Sequence, residues 1–180
     1  MDVCLGVLEA PAGIVQEDLK LFSEVVTAGK PFCLAVNKWD LMKRPADPKP
    51  VASAIARRAP FLGYAPVVLT SAKTGLGTLK LLDQVAQVLS QANRKMTRKE
   101  ADEMLERIRR DPRAPAGIRN AHLFRLIQVG SAPPTFHLLG RVKQGFRASD
   151  LAYLQGFLHR ELKLVGTPVR VHLLAGAGKR

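Results

Sequence analysis

Short apolar runs alternate with helix-length stretches through the first half of the chain. Val3 to Leu8, Phe32 to Val36 and Val67 to Thr70 are strand-sized and rich in residues that favour extended backbone. Glu17 to Ala28, Val51 to Ala59 and Thr78 to Ala92 have helical length. Strands separated by helices predict parallel pairing and an α/β layer. In the last helix Leu79, Leu82, Val85, Ala86 and Leu89 recur at three- and four-residue spacing, which predicts a stripe facing the core.

The pattern changes after Ala92. A basic helix from Thr97 to Arg109 places Ala101, Met104, Leu105 and Ile108 on one side, and the run Asp111-Pro112-Arg113-Ala114-Pro115-Ala116-Gly117 then breaks it. Strands are predicted at Leu123 to Val129 and Thr135 to Leu139. Ser149 or Asp150 can cap a helix running to about Leu164, with Leu151, Leu154, Phe157 and Leu158 facing inward. A closing strand, Thr167 to Leu174, alternates Val169, Val171 and Leu173 against Arg170 and His172. The expected organisation is an α/β region over residues 1–92 followed by an α+β region over residues 93–180.

Composition adds two points. The apolar runs are far shorter than the roughly 20 residues of a membrane span, and the chain opens on a strand-like segment instead of a secretory leader, so a cytoplasmic protein is expected. Cys4 and Cys33 lie inside apolar runs, where thiols pack as small hydrophobes; two of them make neither a zinc site nor, in the cytosol, a lasting disulfide. Charge, by contrast, is uneven. Residues 1–92 hold 10 Lys and Arg against 8 Asp and Glu, whereas residues 93–180 hold 18 against 7. An excess of that size in the second half predicts a polyanion partner, held mainly through phosphates. Candidate contacts there are Arg119, Arg125, Arg141, Lys143, Arg147 and Lys163. The histidines His122, His137, His159 and His172 share no ligand spacing, and no metal role is assigned to them.

Chemistry concentrates at two strand ends. Asn37-Lys38-Trp39-Asp40 closes the second run and Ser71-Ala72-Lys73 the third. Guanine presents adjacent N1–H and N2–H donors beside an O6 acceptor, and a carboxylate at Asp40 matches both donors with charge-assisted bonds. Asn37 carries a donor and an acceptor, suited to N7 and to tying the two loops together; the Lys38 stem can cover one face of the base. The Ala72 N–H would meet O6, with Ser71 and Lys73 shaping the turn. Asn-Lys-x-Asp alone is an ordinary polar turn. The order strand, motif, helix, strand, motif is what a guanine site at the carboxyl ends of parallel strands requires.

These motifs, with Pro60-Phe61-Leu62-Gly63-Tyr64-Ala65-Pro66, Ser71-Ala72-Lys73-Thr74-Gly75, Gln128-Val129-Gly130, Pro133-Pro134-Thr135-Phe136 and Gly166-Thr167-Pro168-Val169-Arg170, resemble the bacterial double-GTPase family Der, also called EngA. The resemblance runs from the middle of the second G domain through the C-terminal KH-like domain. It implies a partial P-loop-NTPase-like G domain followed by an α+β KH-like domain, GTP or GDP as ligand, and the large ribosomal subunit and its RNA as partner, with neither DNA nor membrane. Mg2+ is implied only for an intact family member. No Gly-x-x-x-x-Gly-Lys-Ser/Thr occurs, the terminal Gly176-Ala177-Gly178-Lys179-Arg180 does not supply one, and no switch motif is found. Hydrolysis is therefore not expected of this chain alone. The KH-like region also lacks the Gly-x-x-Gly loop that clamps nucleotide backbone in true KH domains. Two readings follow: a C-terminal portion of a Der-like ribosome-assembly GTPase, or a stand-alone, nucleotide-independent module that binds ribosomal RNA or ribosomal protein.

Overall fold

The computed structural model describes residues 3–43, 47–141 and 145–175. It divides into two compact units, the first comprising residues 1–92 with Leu164–Pro168, the second residues 93–163 with 169–180. Among the described residues no helix is long and apolar enough to cross a membrane.

In the first unit, β1 (Cys4–Glu9), α1 (Gln16–Thr27), β2 (Phe32–Asn37), α2 (Pro48–Arg58), β3 (Val67–Leu69) and α3 (Thr78–Ala92) follow one another. The strands form a parallel sheet in the order β1-β2-β3, as strand–helix alternation predicts. One face carries Leu8, Phe32, Leu34 and Val36 into a core shared with Phe22 of α1 and Ile55 of α2. Alternation turns Cys33 and Ala35 to the opposite face, and α3 also packs against β2 and β3.

The α3 stripe predicted from the sequence is corrected. Leu79 and Leu82 are 77% and 65% exposed, and it is Val88 and Ala92 that are fully buried. Both lines have helical spacing, and the helix meets the sheet along the one through Val88 and Ala92, so periodicity alone could not choose between them. Leu5 and Val7 on β1 are likewise exposed. They stand in register with Cys33 and Ala35, beyond the strands that α3 covers.

Leu164–Pro168 returns to this unit. The Phe32 N–H donates to the Gly166 carbonyl at 2.6 Å, and the Gly166 N–H donates to the Tyr64 carbonyl at 2.9 Å. Thr167 is buried, its hydroxyl 3.4 Å from the Val88 carbonyl. Gly166 has a φ of +64°, and a Cβ there would strike Val88 and the Phe32 carbonyl, so only glycine passes. The closing strand therefore starts at Arg170 and not at Thr167 as the alternation predicts, because the residues before it are spent on the other unit.

In the second unit α4 (Arg98–Arg110), α5 (Ala116–Arg119), β4 (His122–Gly130), β5 (Thr135–Arg141), α6 (Ala148–Glu161) and β6 (Arg170–Ala175) build an α+β layer. The sheet order is β4-β5-β6, antiparallel then parallel. A capping box starts α4: the Thr97 N–H donates to Glu100 at 2.7 Å and the Glu100 N–H to the Thr97 hydroxyl at 3.3 Å. Its buried side is Ala101, Met104, Leu105 and Ile108, as the spacing predicts. α6 begins earlier than Ser149, with Arg147 in the cap position and the Asp150 carboxylate accepting the Arg147 N–H at 2.8 Å. Asp111 anchors the proline-rich turn by accepting from Arg113 and from the Tyr153 hydroxyl at 2.8 Å. Hydrogen bonds from the Arg113 side chain hold its carboxyl well below the usual carboxylate range.

Candidate functional site

Parallel pairing puts the carboxyl ends of β2 and β3 side by side, and there the two motifs meet. The Trp39 N–H donates to the Thr70 carbonyl at 3.1 Å and the Thr70 N–H to the Val36 carbonyl at 2.9 Å. Side chains complete the lock. Asn37 Oδ1 accepts the Ala72 N–H at 3.0 Å and lies 3.5 Å from the Thr70 hydroxyl; Asp40 Oδ1 accepts the Ser71 hydroxyl at 2.6 Å. Ser71, fully buried, also accepts the Thr74 N–H at 3.2 Å. One hydroxyl thus fixes both the carboxylate and the turn that follows it.

The loop conformations follow from local sequence. Lys38 adopts φ +61°, left-handed backbone that costs a non-glycine residue about 1 kcal/mol, and its ammonium pairs with Glu9 at the end of β1. The short turn that follows buries Trp39 in the core and leaves Asp40 exposed. Downstream, Ser71 bridges to Leu76 to close the second loop. Gly77 sits at φ +71°, where a Cβ would lie 2.1 Å from the Leu69 carbonyl oxygen, so no side chain fits between the loop and the strand it caps. Ala72 and Lys73 are exposed at the turn.

The six residues expected at the base site therefore lie close together, Asn37 at the end of β2 and Lys38, Asp40, Ser71, Ala72 and Lys73 on two adjoining loops. The Ala72 N–H, expected at guanine O6, is donated to Asn37 here. Glu9 and Thr70 join the constellation without having been singled out from the sequence. The Glu9–Asn37 register of β1 against β2 brings Glu9 in, a signal that exists only once strands are paired. An apolar cavity of about 300 Å3 lined by Leu8, Ile14, Trp39, Val51 and Ile55 lies close by. Its lining includes none of those six.

The basic residues of the second unit are spread over several elements. Arg119 ends α5, Arg147 precedes α6, and Lys163 follows α6 at φ +51°. Arg125 and Arg141 lie on β4 and β5, and Lys143 is outside the described residues. Among the described residues no group of three His, Cys, Asp or Glu is placed to hold a metal ion.

Residues 95–173 match the family of KH-domain-like C-terminal domains of EngA bacterial GTPases. Three curated relatives carry the description GTPase Der. That of Desulforudis audaxviator is 34% identical over 94% of this chain, that of Hahella chejuensis 33% over 99%, and that of Caldicellulosiruptor saccharolyticus 28% over 99%. The chain spans 39 to 41% of the length of these relatives. A solved structure of Aquifex aeolicus Era bound to GDP and aluminium fluoride is 17% identical, with a TM-score of 0.42, and covers 97% of this chain and 65% of its own.

Proposed function

We propose, from the similarity of nearly the whole chain to part of GTPase Der and of residues 95–173 to the KH-like C-terminal domain of EngA, a division of labour between its two units. The first recognises the base of a guanine nucleotide through Asn37, Lys38, Asp40, Ser71, Ala72 and Lys73. The second binds ribosomal RNA of the large subunit during its assembly. The observation that carries the first part is the pair of interlocked loops at the ends of β2 and β3. Asp40 presents one carboxylate oxygen to Ser71, which aims the group while its exposure leaves it open to the N1–H and N2–H donors of guanine. Lys38 can release Glu9, an exposed pairing worth little, and lay its stem on the base. The Ala72 N–H is held where a ligand oxygen would share or take it from Asn37.

No hydrolytic step is assigned. The sequence has no loop of the form Gly-x-x-x-x-Gly-Lys-Ser/Thr, so the donors that position phosphates and Mg2+ are lacking, and phosphoryl transfer depends on them. Base contacts without phosphate contacts make for weak binding, in the millimolar range on the order of −4 kcal/mol.

The test is a titration followed by the fluorescence of Trp39, the sole tryptophan. GDP is expected to give a saturable change that ADP does not. Asp40→Asn should exchange the preference for guanine for one toward xanthine, since an amide N–H can donate to the O2 that replaces the guanine amino group. Equal responses to GDP and ADP, or none, would sink base recognition and favour the nucleotide-independent module. That alternative further requires RNA binding to be unchanged by Asp40→Ala, and an RNA affinity that responds to GTP would exclude it.

A further inference from the structure

The three-stranded sheet of the second unit has one face covered and one face open. α4 packs on β4 and α6 on β6, burying Leu126, Phe136, Leu138 and Val171. Alternation sends the intervening residues to the other side. Cross-strand register sorts that side into rows: Thr135 beside Arg170, then His137 beside His172, then Leu139 flanked by Leu174 and Arg125, then Arg141. Arg125, Arg141, Arg170 and His172 are exposed, His137 is half-buried, and Leu174 is 39% exposed. The rings of His137 and His172 meet edge to face with centroids 5.4 Å apart. None of the three strands contains an Asp or Glu.

We infer that this open face is a stacking platform for single-stranded RNA, with His137 and His172 receiving unpaired bases and Arg125, Arg141 and Arg170 receiving the flanking phosphates. The inference rests on the reading of the second unit as RNA-binding and adds to it the surface and the form of the RNA. The two rings stand on adjacent strands at 89° to each other, each with a π-face that the other leaves uncovered, and base stacking on such groups tolerates any sequence. Three guanidinium groups on an acid-free sheet complement a polyanion. A pleated, open surface suits splayed-out bases, whereas the bases of an A-form duplex are stacked inside and out of its reach. The backbone clamp of true KH domains is missing from this chain, so the face offers a route to bases that does not need it.

The experiment uses the full chain and a labelled 12-nucleotide single-stranded RNA, with the same sequence as a duplex for comparison, read by fluorescence anisotropy. The wild-type chain is expected to prefer the single strand. His137→Ala/His172→Ala should lose about tenfold or more in single-strand affinity, with little change for the duplex. His137→Phe/His172→Phe should restore binding, which guards against loss through misfolding. Replacing Arg125, Arg141 and Arg170 by Gln should reduce the slope of log affinity against log salt by about two. If the chain binds no RNA, the RNA reading itself falls, and this inference with it. Binding that is indifferent to every one of these variants would overturn the platform while leaving RNA recognition to another surface. Equal losses for single strand and duplex would reduce the face to a basic patch and overturn stacking. Histidine-dependent binding of poly-glutamate in place of RNA would assign the face to an acidic protein and overturn the inference.

Discussion

At the scale of single residues, one atom often serves two ends. The Ser71 hydroxyl holds Asp40 and closes its own turn, so its burial serves the geometry of both loops and not only packing. Cys33 shows burial acting on chemistry. It is fully buried in β2, and removal from water pushes its thiol up to about 11. Because the folded-state value lies above the ordinary 9.0, the fold favours the protonated thiol. That contribution is fully present below pH 9 and is lost as the pH rises toward 11. Iodoacetamide at pH 8 should therefore modify the half-buried Cys4 and spare Cys33, as peptide mass mapping would show. Rapid labelling of Cys33 in the folded chain would contradict its burial. Trp39 makes the opposite point: its ring fills the core from within the motif, and its buried indole N–H has no hydrogen-bond partner among the described residues.

At the scale of elements, α3 is the instructive case. Two apolar lines run along it at helical spacing, and only the one through Val88 and Ala92 meets the sheet. Leu82→Glu should change stability by no more than about 0.5 kcal/mol, as exposed substitutions do. Val88→Ala removes two methyl groups from a filled core and should cost about 2 kcal/mol. Urea unfolding of the two variants decides the matter. A larger loss from Leu82→Glu would mean that the helix sits rotated. In the second unit the apolar side of α4 is legible in the sequence, because its spacing is a property of one helix. α5, a single turn after the proline-rich break, carries too few residues for any periodicity to show.

At the scale of the whole molecule, the chain crosses between its units more than once. Leu164–Pro168 belongs to the first unit although it lies between α6 and β6 of the second. It satisfies the Phe32 N–H and fills space against Val88. A fragment of residues 1–92 should consequently unfold at lower urea than the first unit does in the full chain, with Trp39 fluorescence reporting on that unit alone. Identical midpoints would show the returning segment to be dispensable. The uneven charge of the two halves persists in the three-dimensional division, because the returning residues carry no charged side chain.

What the sequence determined by itself was whatever depends on near neighbours or on residue chemistry. It set the alternation of strands and helices, the apolar side of α4, the basic second half, and the two motifs proposed to recognise guanine. Helical and extended periods are local properties, and a motif at a strand end needs only its own strand to be recognised. Pairing decided the rest. Register brought Glu9 to Lys38 and set His137 against His172 on a face shared with Arg125, Arg141 and Arg170. Those residues lie up to 47 positions apart in the chain, and only the hydrogen-bonded ladder fixes which of them are neighbours. Likewise the choice between two equivalent stripes on α3, and the diversion of Leu164–Pro168 to the first unit, turn on which apolar surface is left to cover. That quantity exists only after the elements have packed.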